Sequence, residues 1–156
     1  MTSIHEFLEE KYERLNGGVA TPEEVKEMVA VLLEMAKSDE REFKSFYRRM
    51  LLHLLKYKYQ PEKQSRSWIE SILDSRSELS VFYSDKSLIK TVSGDLLNQY
   101  IDAKRKASRE TGKSISVFPE NIPVDWSLEN IVDYDFIIKF LKDNATTVQA
   151  KSYLGL

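Results

Sequence analysis

From Phe43 to Tyr59 the chain reads FKSFYRRMLLHLLKYKY, and this stretch limits the possible folds more than any other. Wound as a helix, it places Phe43, Phe46, Tyr47, Met50, Leu51, Leu54 and Tyr57 on one broad arc, while Leu52, Leu55 and Tyr59 form a second apolar strip. A helix that is apolar on two sides must be covered on two sides, so it belongs at the centre of a helical core. Pro61 closes the run, because its ring clashes with the preceding turn and disfavours helical geometry at Gln60. Helical spacing continues through almost the whole chain, punctuated by only five glycines and four prolines in 156 residues. The fold expected is all-α: a single-domain bundle of about five main helices with short C-terminal helices.

End signals place the elements. Ser3 and Glu6 form a capping box for a first helix over about Ile4 to Leu15, which Gly17 and Gly18 end. Thr21, Pro22 and Glu24 open a second, with Val25, Met28, Val29, Leu32, Leu33 and Ala36 as its apolar face. A break is expected near Ser38 and Asp39, with Glu42 completing another capping box, and a third helix then covers about Glu40 to Gln60. The fourth is expected over Glu62 to Phe82 and the fifth over Lys86 to Thr111. Gly94 inside the fifth suggests a close helix crossing, and Gly112 supplies a left-handed stop. Residues 113–125 read as loop, followed by a short helix from Ser127 and another near Asp135. The first 20 residues read as a peripheral helix and residues 145–156 as a frayed tail. Tyr47, Leu51, Leu54, Trp68, Ile72, Leu96 and Tyr100 are the expected centre of the core.

Composition removes several function classes. Without cysteine the chain can form no disulfide, thiolate metal site or cysteine nucleophile, which is compatible with a reducing cytosol. The acidic start MTSIHEFLEEKYERL is unlike a signal peptide, and the longest apolar run, MLLHLL, is far too short to span a bilayer. A cytoplasmic, non-membrane protein is expected. Charge is segregated: residues 1–42 carry 11 acids against 5 bases, and residues 43–68 carry 7 bases against 1 acid. Residues 86–113 are basic again. Acidic helices packed beside basic ones are the simpler reading of this pattern, and a basic surface for a polyanion is the sharper one.

The middle of the chain carries a resemblance. LLHLLKYKYQPEKQSRSW is followed by SLIK, YIDAKRKASRETG, VFPENIP and VDYDF. This order resembles domain-of-unknown-function family 29, small helical proteins common in cyanobacteria. The likeness covers about Leu51 to Phe136. It implies a helical, cytoplasmic protein and no particular activity. The first helix departs from the family's Asp-Phe-Tyr-x-Trp type of opening, Lys86 stands where a proline is usual, and Ile122 stands where a cysteine is frequent.

Two groups of residues are candidate sites. Arg49, His53, Lys56 and Gln60 share a narrow arc of the central helix, between its apolar strips. Beyond Pro61 a new helix N-terminus begins, with Arg66 and Trp68 close by, and together these six suit an anion pocket or a partner-binding surface. The alternative is that His53 bonds to a carboxylate or carbonyl between helices while Arg49 and Lys56 extend to water. The second group is Lys104, Arg105, Lys106 and Arg109 on the solvated face of the fifth helix. With Lys44, Arg48, Lys58 and Lys63 they could build a basic surface that follows a phosphate backbone, with Tyr57, Tyr59 and Trp68 as stacking faces. The alternative is an ordinary solvated face.

Enzymatic chemistry has no signature. No Glu-x-x-His pair, phosphate loop or nucleophile elbow is present. No metal and no cofactor are expected. Asp133 and Asp135 read as the end of one short helix and the cap of the next. Phe43, Phe46, Tyr47 and Tyr57 could meet a second copy, although intrachain packing is favoured. The ranking is a non-catalytic protein-interaction or adaptor module, with an unidentified protein partner and possible homo-oligomerisation, ahead of nucleic-acid or anionic-ligand binding through the basic face. An enzyme comes third.

Overall fold

A computed structural model describes residues 3–156. The described residues form eight α-helices and two 3-10 turns, with no strand. The helices are α1 (Ile4–Asn16), α2 (Pro22–Tyr59), α3 (Arg66–Tyr83), α4 (Lys86–Ser93), α5 (Leu96–Thr111), α6 (Leu128–Val132), α7 (Tyr134–Asn144) and α8 (Val148–Tyr153). Contacts group the chain into two units, Met1–Asp39 and Glu40–Leu156, and α2 passes from one into the other.

The first unit is a helical hairpin. Ser3 caps α1 by accepting from the Glu6 N–H at 3.1 Å, and Thr21 accepts from the Glu24 N–H at 3.2 Å. Gly18 turns the chain at a φ of 72°, a region that costs a side chain strain. Arg14 grips the Glu24 carboxylate through Nε at 2.6 Å and Nη2 at 2.8 Å, and Lys11 reaches Glu27 at 3.9 Å. The two pairs advance in opposite directions along the chain, so α1 and α2 run antiparallel. Among the described residues of this unit only Met28 is buried; Val25, Val29, Leu32 and Leu33, on the expected apolar face of the second helix, are exposed.

The second unit holds the core. Phe43, Tyr47, Met50, Leu51, Leu54, Leu55 and Tyr57 of α2 are all essentially inaccessible, as the two apolar strips require. Ile69, Ile72 and Leu79 of α3, Tyr100, Ala103 and Ala107 of α5, and Ile137 and Leu141 of α7 close around them. Trp126 is buried in the same cluster, edge-on to Phe140. Trp68 and Leu96, expected at the centre, are only partly covered. The aromatic edge considered for a second copy is spent inside the chain: Phe43, Tyr47 and Tyr57 are core residues and Phe46 packs against them.

Five boundaries differ from expectation. The fourth helix, expected from Glu62, begins at Arg66 with Ser65 as its cap, and Pro61–Lys63 form a separate 3-10 turn because the backbone leaves helical geometry again at Gln64. No break occurs at Ser38 and Asp39, and one 38-residue helix replaces two. Capping residues start a helix only where the preceding backbone has left helical geometry; both are exposed, and nothing pulls the chain away. The long fifth helix is instead two helices, with Gly94 as the C-cap of α4. A Cβ at Gly94 would meet nothing within 4 Å, so no close crossing exists there. Asp133, rather than Asp135, caps α7, accepting from the Phe136 N–H at 3.1 Å while also ending α6. Finally, the tail expected to fray forms α8, capped by Thr147 and anchored by the buried Ala150.

Gln64 explains how that tail is held. Pro61 has no N–H, so the Tyr57 carbonyl lacks its helical donor. The buried Gln64 amide supplies one at 2.8 Å and also donates to the Asn144 carbonyl at 2.7 Å. Its oxygen accepts from the Thr146 N–H at 2.9 Å. One side chain thus joins the end of α2 to the segment between α7 and α8.

Candidate functional site

The residues of α2 at 45, 48, 49, 52, 53 and 56 recur every three or four positions, and so do those of α5 at 102, 105, 106, 109 and 110. Each set therefore lies along one helix face. The two faces line an open cleft of about 660 Å³. Leu52 and Ala103, both buried, form its apolar floor. Arg48, Arg49, Lys56, Arg105, Lys106 and Arg109 set six cations around it, against the carboxylates of Asp102 and Glu110.

Several of these cations are held in place. Lys56 spans the cleft to Glu110 at 3.0 Å and lies 4.7 Å from the centre of the Trp68 ring. Arg48 donates to Gln99 Oε1 at 2.6 Å, and Gln99 Nε2 donates in turn to Asp95 at 2.6 Å. Asp95 also binds Lys44 at 3.1 Å and Asn98 at 2.8 Å. Hydrogen bonds from Asn98, Lys44 and Gln99 hold the Asp95 carboxyl down at about 2, so it stays ionised and fixes the chain of contacts to Arg48. Arg105 approaches Asp102 at 3.8 Å. Arg49 reaches only the Ser71 hydroxyl at 3.5 Å, and it, Lys106 and Arg109 have no carboxylate partner among the described residues.

His53 sits in the cleft wall, half-buried. Its Nδ1 is 2.9 Å from the Arg49 carbonyl oxygen one turn back, so Nδ1 carries the proton and donates. In the neutral ring Nε2 is then an acceptor, and it adds no donor to the cleft. Burial lowers its pKa below the usual 6.5, and the Lys56 and Arg49 charges add to that against the helping carbonyl. The partner expected between helices is thus found within α2.

The structure brings six of the ten sequence candidates together: Arg49, His53 and Lys56 from one group, Arg105, Lys106 and Arg109 from the other. The remaining four lie elsewhere. Gln60 is buried, since the end of α2 turns it inward at Pro61. Arg66 is exposed and pairs with Glu70 at 2.8 Å. Trp68 only backs Lys56. Lys104 is buried on another side of α5, donating to the Glu120 carbonyl at 3.0 Å, because one residue before Arg105 is a rotation of about 100°. The start of α3 is not a free anion site: the Arg66 N–H donates to Gln149 at 2.8 Å and the Trp68 N–H to Ser65 at 3.3 Å. Arg48 was visible only as part of a diffuse basic surface, and the positioning pair Asp95 and Gln99 carried no signal at all.

No three of His, Asp and Glu converge as metal ligands among the described residues. None of the described helices is long and apolar enough to cross a membrane. What the molecule defines is an all-helical protein with a cationic cleft between two helices. The family model described as domain of unknown function DUF29 matches residues 2–137, and the chain belongs to that family. Comparison with curated proteins and with solved structures gives no match.

Proposed function

We propose that this protein is a binding module whose α2–α5 cleft takes a compact, multiply charged anion, of the phosphate-bearing kind. The observation that carries this reading is the convergence of six cations on one cleft, four of them (Arg48, Arg49, Lys106 and Arg109) without a carboxylate partner among the described residues. The cleft volume favours a small ligand over a nucleic-acid strand. About 660 Å³ falls within the roughly 300–1,000 Å³ of small-molecule sites, whereas a strand needs an extended basic track with stacking faces. Of the aromatic residues that such a track would use, Tyr57 and Tyr59 are core or core-packed side chains, and the half-buried Trp68 ring is taken by Lys56. The protein-interaction role finds its support elsewhere, in the exposed apolar residues of the N-terminal hairpin.

Calorimetric titration with inorganic triphosphate at low ionic strength tests the reading. Saturable binding is expected, weakened at least about tenfold in the Arg49→Ala/Arg109→Ala variant. Absence of binding at millimolar triphosphate refutes it. Affinity that grows with the length of an RNA oligonucleotide while triphosphate stays weak transfers the cleft to nucleic acid.

A further inference from the structure

The hairpin leaves an unusual amount of apolar surface uncovered. Ile4, Tyr12 and Leu15 of α1 are 55%, 65% and 51% exposed, and Val29, Leu32 and Leu33 of α2 are 49%, 53% and 57% exposed. At about 100° per residue, each set, with Val25, falls within an arc of about 100° on its helix. The half-buried Phe7, Lys11 and Arg14 on α1, and the half-buried Glu24 and Val31 with the buried Met28 on α2, lie to one side of those arcs, while the half-buried Leu8 lies within the arc of α1. On both helices the exposed arc follows the packing side in the same rotational sense. Because the helices are antiparallel, equal rotations open both arcs onto the same side of the pair. The result is a two-helix layer with one continuous apolar face.

Charge is arranged to match. Glu6, Glu10 and Glu13 of α1 and Glu23, Glu27 and Glu34 of α2 turn to the opposite side of the layer. The apolar face itself carries no carboxylate, although the unit is strongly acidic. We infer that this face is covered by the same face of a second copy, two hairpins forming a four-helix bundle about a twofold axis. Such an interface pairs a patch with itself, and acids on the outer surfaces leave no like-charge contact across it. With charge confined to its edge, at Lys26 and Lys37, the face offers little by which to select a foreign acidic or basic partner. The area agrees: seven side chains at roughly 90 Å² each expose about 650 Å² per copy, near the about 800 Å² per partner of a stable interface and above the usual largest patch of a monomer. This surface is distinct from the aromatic residues first considered for association, which are internal.

Sedimentation velocity of the full chain over a wide concentration range tests the inference. A dimer is expected, and the Val29→Glu/Leu32→Glu variant is expected to weaken association at least about thirtyfold with unchanged helical circular dichroism. Both positions are about half exposed, so the charges do not enter a core. Tyr12→Glu on the other helix should act in the same direction. Val81→Glu, at a 70% exposed position in the second unit, is the control and should leave the dimer intact. A wild-type chain that stays monomeric at every concentration, including one that binds only a foreign protein, overturns the inference. So does a dimer that survives the double variant.

Discussion

At the scale of single residues, His53 is where position and chemistry meet. Burial penalises its cation, and Lys56 and Arg49 repel it, so its pKa lies below the ordinary value. The unfolded chain holds this histidine near its ordinary pKa of 6.5, and the folded chain holds it lower. Between those values the unfolded state binds more protons, so stability falls as pH drops through and below 6.5. The midpoint of His53 in an NMR titration is therefore expected below 6.5, and the His53→Asn variant, which keeps a donor for the Arg49 carbonyl, should flatten the pH dependence of stability in that window. An anion in the cleft would reverse the repulsion and move the midpoint up. A midpoint unchanged by saturating triphosphate would separate His53 from the ligand. The sequence showed this histidine between cations but not its partner, because a bond to a carbonyl four residues back leaves no mark in residue types.

At the scale of elements, local chemistry was legible wherever a residue satisfies a backbone group nearby. Ser3, Thr21, Ser127 and Gly112 act as read. Misreadings arose where the same residue types have a neutral alternative. Ser38 and Asp39 sit on the exposed side of an uninterrupted helix, and Gly94 ends a helix instead of admitting a crossing. Gly94 and Gly112 make a matched pair for experiment. Gly94 has a φ of −71° with open space around a Cβ, so Gly94→Ala should stabilise by about 0.4–1 kcal/mol by restricting the unfolded chain. Gly112 has a φ of 71°, where alanine strains the backbone, and Gly112→Ala should destabilise by about 1–2 kcal/mol. Urea denaturation of the two variants beside the parent chain reads both signs. Equal effects would mean that Gly94 is not a free helix terminus.

At the scale of the whole molecule, the fold class followed from one doubly apolar helix, but the site depended on what lies opposite it. The basic face of α2 and that of α5 are 50 residues apart in sequence, and only tertiary packing sets them around one cleft. The hairpin face was hidden for the converse reason: an apolar stripe at helical spacing has the same pattern whether it meets its own chain or another. These two surfaces share no residue and rest on different forces, which makes them separable by salt. Charge attraction in the cleft is screened as ionic strength rises, so triphosphate affinity should fall steadily between low salt and about 0.5 M. Apolar association is not weakened in that way, and sulfate salts strengthen it. Hairpin self-association should therefore hold or tighten over the same range. Measuring both in one salt series, by calorimetry and by sedimentation, gives slopes of opposite tendency if each surface works as its chemistry requires. Parallel loss of both with sodium chloride would mean that charge, rather than the apolar face, holds the copies together.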